Sequence, residues 1–385
     1  MDEQLHLIRP VLDSTIKMVE SELCWASSID MVAKQQKILI SQIKLRDLIN
    51  QYLTNEDASH RYIRSTMPSN KKYFEKLFSE EILDKIGCTQ YQSSLFPPKE
   101  FIEKCISANS PIIFNGIFYP LFSISTLHTF VVQGYKNIDN KFWILTLDPR
   151  NSETTCKVAW VYNELINRHN NFQIANEKKV KIDFVTNFLP TQSKGFISED
   201  FLEKPLQSYI TTGLKDELMV KEFAEFVTFQ KHSLLENYFK VNPNQLQLYG
   251  EKANYRTRYC SFDEILSKTN TYGSTYYLPA QVDGQVKLEF IFFEEKENQL
   301  TFLGIQEPLG IQNILYIKVD GKLMMLNHKE PNYEIVTVNS NKKDYVFLQV
   351  TLNEITYFSP IYNYENFLVT SAYQDFELKN FFSTK

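Results

Sequence analysis

Long apolar runs are scarce in this chain. Even Ser110–Tyr135 is interrupted by Pro120, Ser123, Ser125, His128 and Gln133, so no stretch supplies the roughly 20 apolar residues that a membrane-spanning helix needs. Met1–Pro10 has neither a basic start nor an apolar segment and carries Asp2 and Glu3, so no secretory leader is expected. Cysteine is equally sparse. Cys24, Cys88, Cys105, Cys156 and Cys260 are odd in number and widely spaced, with no Cys-x-x-Cys pair and no histidine at zinc-binding spacing; this is the pattern of free thiols in a reducing compartment. The expectation is a soluble, cytoplasmic protein with no membrane span, no metal and no cofactor. Net charge is only −5, and no dense Lys/Arg stripe is present, which argues against nucleic acid as a partner. Lys178, Lys179 and Lys181 flank the alternating segment Val180–Val185 and read as a solvated strand edge. A glycine-rich phosphate loop, His-Glu-x-x-His and Gly-x-Ser-x-Gly are absent too, which removes the common nucleotide-binding, zinc-peptidase and serine-hydrolase signatures.

What the chain holds is core material. Its 385 residues are 43% apolar, with 29 Phe and 22 Tyr, more than one hydrophobic core ordinarily organises, so two domains are expected. Apolar positions Trp25, Ile29 and Val32, then Leu39, Ile43 and Ile49, follow helical periodicity from Cys24 onward. Ser69–Tyr91 is patterned as a helix, and Pro97-Pro98 leads into another over Lys99–Ile106. From Ser110 the character changes to short β-branched and aromatic runs: Ile112–Phe114, Thr129–Tyr135, Phe142–Leu147, Cys156–Tyr162 and Val180–Val185. The polar breaker cluster in Asn187–Asp200 marks a linker. Beyond it come a long helical pattern over Leu214–Val241 and then strands, with Asp283-Gly284 and Asp320-Gly321 as hairpin turns. The fold class is thus α+β twice over: helices on an antiparallel sheet in residues 1–190, and a second helix-plus-β domain in residues 200–385.

One constellation carries chemistry. A cysteine attacks carbonyls as thiolate, and the partial positive charge of a helix's first turn favours that form, which is where the periodicity sets Cys24. Thr129–Tyr135 and Lys141–Leu147 form a hairpin nearly symmetric about Ile138, a register that sets His128 directly opposite Asp148 with Cβ atoms about 4.5 to 5.5 Å apart. A one-residue slip would put them on opposite faces. Read blandly, His128 is a histidine at a strand start and Asp148 caps the turn before Pro149.

The same residues carry a resemblance. Leu23-Cys24-Trp25-Ala26-Ser27-Ser28 followed by Ile29-Asp30-Met31 resembles the nucleophile helix of bacterial papain-like cysteine peptidases. Phe101-Ile102-Glu103 through Pro111-Ile112-Ile113, His128 to Tyr135, and Leu147-Asp148-Pro149 resemble the short helix, the histidine strand and the third catalytic position that follow in that group. The resemblance spans Cys24 to Arg150 and is nearest to peptidases that process bacteriocin leaders and to papain-like effector proteases of plant pathogens. It implies a papain-like N-terminal domain, with Cys24 as nucleophile, His128 as general base and Asp148 as orienting acid, cutting a peptide or protein substrate. The order Cys, His, Asp also occurs in transglutaminase-like and arylamine acetyltransferase-like folds, so other acyl transfers, ligation and deamidation among them, stay open.

One position departs from that pattern. Papain-like enzymes carry a glutamine six residues before the nucleophile to bind the oxyanion, and here that residue is Met18; Gln4 lies too far along the chain to replace it. Loss of one such donor costs roughly 10² to 10³ in turnover. A degenerate, peptide-binding relative is therefore the rival reading. His60, His169, His232 and His328 stand apart from cysteine and carboxylate partners in sequence, and Glu294–Glu297 reads as a solvated turn.

Overall fold

The structure is a computed structural model that describes residues 4–19, 23–35, 37–50, 89–91, 98–117, 127–149, 155–165, 185–187, 210–212, 215–228, 232–250, 253–261, 274–296, 299–340, 343–361, 367–368 and 371–383. The chain packs as two units, the first from Met1–Phe118 and Thr126–Ser208, the second from Tyr119–Ser125 and Tyr209–Lys385. Both are mixed α and β with mainly antiparallel pairing. The linker expected in Asn187–Asp200 lies, after Asn187, outside the described residues, as do most of the helix expected over Ser69–Tyr91 and residues 180–184 of the strand expected over Val180–Val185.

In the first unit, helix α1 (Cys24–Gln35) is buried at every residue from Cys24 to Ala33. Such a helix is held by packing all round rather than along one stripe. It stops at Lys37, whose left-handed φ of 62° lets Ile38 N–H bond back to the Ala33 carbonyl at 2.9 Å, the αL termination that satisfies the last carbonyls. Helix α2 (Gln42–Asn50) follows and packs on α1.

The sheet joins β1 (His6–Leu7), β2 (Thr89–Tyr91), β3 (Ile112–Ile117), β4 (Leu127–Ile138), β5 (Lys141–Pro149), β6 (Thr155–Val161) and β7 (Val185–Asn187). It runs β2–β7–β3–β4–β5–β6, all antiparallel, with β1 beside the far end of β4. Thr89–Tyr91 is therefore a strand where the sequence pattern suggested the end of a helix. Pairing with β7, a long-range partner, overrides local helical preference there. Helix α3 (Lys99–Ser107) begins as expected after Pro98, whose ψ of 155° is extended, and buries Phe101, Ile102, Cys105 and Ile106. Helix α1 lies against β3, β4 and β5, and α3 against β1 and β4.

The β4–β5 hairpin turns on Asp139 and Asn140 alone, with φ of 49° and 60° and Ile138 paired to Lys141. Positive φ at both central residues is the type I′ turn, whose twist matches that of paired strands. The register then shifts at Gln133, between Val132 and Gly134, a bulge of one extra residue. Gly134 is needed there because a Cβ would collide with the carbonyl of His6 on β1.

The second unit sets β8 (Ile210–Thr212), β9 (Gln247–Leu248), β10 (Tyr255–Ser261), β11 (Ser274–Val282), β12 (Gln285–Lys296) and β13 (Gln299–Gln306) beside β16 (Tyr333–Ser340), β17 (Lys343–Leu352), β18 (Ile355–Pro360) and β19 (Tyr373–Gln374). Their order is β8–β13–β12–β11–β10–β16–β17–β18–β19, with β9 sharing the β10 side of β11. Among these strands, as described, β10 and β16 pair in parallel, Thr257 with Ile335 onward, and the rest antiparallel. A separate two-stranded sheet holds β14 (Tyr316–Val319) and β15 (Lys322–Met325).

Asp283-Gly284 and Asp320-Gly321 are hairpin turns with positive φ at both residues, as expected, and Asn353-Glu354 is a third. The helical pattern over Leu214–Val241 resolves into α4 (Lys215–Val227) and a second helical stretch, His232–Leu234 continuing as a π-helical turn over Leu235–Phe239 that Lys240 closes in the left-handed region. Phe223 and Phe226 of α4 meet Phe290 edge-on at 5.2 and 5.4 Å. Helix α5 (Asp375–Ser383) caps the other end through Phe381 and Phe382, which pack on Phe367 and Tyr345. No helix among the described residues is long and apolar enough to cross a membrane.

Candidate functional site

Cys24 is the first residue of α1, buried and free of any disulfide. The helix behind it is built in an uneconomical way. Trp25 Nε1, Ser27 Oγ, Ser28 Oγ and Asp30 Oδ1 are all buried without a hydrogen-bond partner among the described residues. Each such group costs about 1–3 kcal/mol in desolvation, and native cores leave few of them. Four within the first two turns of one helix set this stretch apart from the rest of the core.

The chain leading to Cys24 is clamped from α2. Gln42 is buried; its Nε2 donates to the Lys17 carbonyl at 2.9 Å and to Asp30 Oδ2 at 3.0 Å, and its Oε1 accepts from Val19 N–H at 3.1 Å. One amide thus ties residues 17 and 19 to the α1 carboxylate. Just upstream, the Thr155 hydroxyl donates to the Ile16 carbonyl, and Thr155 pairs with Pro149, the neighbour of Asp148. The approach to Cys24 therefore runs past the Asp148 end of β5. Neither Asp30 nor Gln42 was singled out from sequence, where a helical Asp and a Gln after a break look like surface residues; only their burial marks them.

Asp148 is buried on β5 and paired with Cys156. His128 is on β4, paired with Gly116 on β3; its side chain lies outside the described residues. The strand starts and ends that carry them are at the same end of the sheet, because β4 and β5 are antiparallel with Val131 paired to Leu147.

Direct opposition, however, does not hold. The two-residue turn is centred one and a half positions beyond Ile138, and the Gln133 bulge takes back only part of that offset. Continuing the Val131–Leu147 register puts Asp148 across from position 130, two places from His128 but on the same face. In backbone register, positions 128 and 148 are therefore diagonal rather than directly opposite.

Met18 is buried and brings no donor, and the nearby Gln42 amide is already committed to Lys17 and Asp30. Of the other cysteines, Cys105 and Cys156 are free and buried. Burial pushes the Cys105 thiol up to about 12, so it is inert at neutral pH. Cys88 and the side chain of Cys260 lie outside the described residues, as do His60, His169 and the side chain of His232. Among the described residues no group of three or more His, Cys, Asp or Glu side chains could hold a metal ion.

A shallow concavity of about 760 Å³ opens between α3 and β4, floored by His6 stacked on Tyr135 at 4.5 Å and edged by Glu100, Glu103 and Lys104. His328, in the second unit, is engaged at both ring nitrogens: Nε2–H donates to the Ile314 carbonyl, which leaves Nδ1 to accept from the Tyr333 hydroxyl at 2.9 Å. Comparison with protein-family models, with curated proteins and with solved structures returns no match.

Proposed function

We propose that the first unit is a papain-like cysteine peptidase, with Cys24 as nucleophile, His128 as general base and Asp148 as the acid that orients the imidazole. The observation that carries this reading is the state of α1: a buried, disulfide-free cysteine heads a helix whose first two turns keep four buried polar atoms without partners. Such sites are where proteins trade stability for chemistry. The Cys24 thiolate attacks a peptide carbonyl and forms a thioester. The proton held by His128 passes to the leaving amine, and water, deprotonated by the same imidazole, then releases the acid and restores the thiol. If water is kept out, an amine acceptor takes the acyl group instead.

A second reading, a degenerate papain-like module that holds a peptide without cutting it, is favoured by one observation, the buried Met18 where an oxyanion donor would stand. Intact-mass analysis of a peptide library incubated with the wild-type chain and with Cys24→Ala separates the readings. Fragment pairs whose masses sum to the parent peptide plus one water, absent with Cys24→Ala, support the peptidase; unchanged masses with the wild-type chain overturn it. Iodoacetamide at about pH 6, well below the ordinary thiol range, gives an independent check. Faster alkylation of Cys24 than of an exposed comparison cysteine supports an activated thiol, and equal labelling overturns it.

A further inference from the structure

Among the described residues, the β14–β15 hairpin is paired with itself and, through Lys318, by a single bridge to Ser371. Its register sets Tyr316 across from Met325 and Lys318 across from Leu323. Alternation along paired strands puts these four side chains on one face. The opposite face holds Ile317, fully buried. The outward face is unusually apolar for solvent: Tyr316 is 45% exposed, Leu323 68% and Met325 83%, and Leu315, just before β14, is 60% exposed. Lone exposed apolar residues need no explanation, but a contiguous group marks a contact surface.

Charge selects the occupant. Lys318 shares the apolar face, across from Leu323, and is exposed with no ion-pair partner among the described residues; Lys322, paired with Val319 beside the turn, alternates to the face of Ile317. Lysine is depleted from the buried centres of protein interfaces. At a bilayer the same arrangement is favourable: Leu and Met side chains enter the acyl boundary, Tyr sits at headgroup level, and lysine stems extend so that their ammonium groups reach lipid phosphates. Strand addition by a second copy is disfavoured, because the open edge of β15 is only four residues long and carries Lys322, a device that blunts edge pairing.

We infer that the β14–β15 hairpin is a peripheral membrane contact, inserting Tyr316, Leu323 and Met325 into the interface of a bilayer rich in anionic phospholipid, with Lys318 on the headgroups. It binds reversibly to one leaflet and is independent of the chemistry at Cys24.

Co-sedimentation of the full chain with phosphatidylcholine vesicles, with and without phosphatidylserine, tests this. Binding should require phosphatidylserine and weaken with added salt. Lys318→Ala should weaken it about 5-fold, the loss of one surface lysine's attraction, and Lys322→Ala, on the opposite face, should weaken it less. Leu323→Ser combined with Met325→Ser should abolish it without shifting the melting temperature, because both side chains are exposed. Leu39→Ser, at a lone exposed leucine of the first unit, should change nothing. Failure to sediment with phosphatidylserine vesicles overturns the proposal, as does binding that survives Leu323→Ser with Met325→Ser. Concentration-dependent dimerisation without vesicles, lost in that double variant, would instead assign the face to a second copy.

Discussion

Gln42→Ala should be among the most costly single substitutions in the first unit, although Gln42 is neither apolar nor aromatic. The change deletes three hydrogen bonds: Nε2 to Lys17 O and to Asp30 Oδ2, and Val19 N–H to Oε1. Two are to neutral backbone groups, each contributing about 1 kcal/mol net, and the one to a carboxylate contributes about 1.5–3 kcal/mol. Deletion also leaves Asp30, whose Oδ1 is already without a partner, buried with neither oxygen satisfied. The sum is about 3–5 kcal/mol. At 2–4 °C per kcal/mol for a unit of about 200 residues, this lowers the melting transition by about 6–20 °C. Differential scanning calorimetry reads it directly. A double-mutant cycle with Asp30→Ala then isolates the shared bond: Gln42→Ala should cost about 1.5–3 kcal/mol less when Asp30 is gone. The clamp also sets the chain entering Cys24, so alkylation of Cys24 should slow in Gln42→Ala well below its melting temperature. A melting shift under about 3 °C, or additive costs in the cycle, would show that the three distances overstate the clamp.

Three further outcomes follow from single features. Asp148→Asn should stay folded by circular dichroism and lower turnover by about 10²–10⁴-fold through the wrong imidazole tautomer, whereas Asp139→Asn, in a turn where Asn accepts positive φ, should keep wild-type kinetics. Gly134→Ala should destabilise by about 1–3 kcal/mol in urea unfolding, since its Cβ would meet the His6 carbonyl and push β1 off β4. Burial lowers the pKa of His328 from its ordinary 6.5, so the folded ring stays neutral while the unfolded chain takes up a proton first. Stability is then full above about pH 6.5 and declines as pH falls towards the lowered value, and His328→Gln should flatten that part of a urea-denaturation pH series.

How far the residues announced their own structure depended on whether the deciding contact was local. Helix α1 and its start at Cys24, α3 behind Pro98, and the Asp283-Gly284 and Asp320-Gly321 turns were legible because periodicity, proline and Asp-Gly chemistry act within a few residues. The β4–β5 register was not. Asp139-Asn140 makes a tighter turn than symmetry about Ile138 implied, and the Gln133 bulge exists beside a glycine that a distant strand, β1, requires. Strand β2 likewise owes its form to β7. The Asp30–Gln42 pair was hidden for the same reason: burial of a polar helical residue is a property of what packs over it, which no window of sequence contains.

The parallel pairing of β10 with β16 has a kinetic meaning. On one side of it β11, β12 and β13 follow one another as hairpins, and on the other side so do β16, β17 and β18. Each set closes short loops and can form in microseconds. The seam between them must close a far longer loop, Thr257 finding Ile335, so it should form last and set the folding rate of the unit. Until then β16 presents an unpaired edge bearing Ile335, Val336 and Val338, all buried in the finished fold, which is the kind of strand that captures another chain. Refolding yield should therefore fall with protein concentration, and a charge introduced on that edge would be felt in the yield before it was felt in the stability.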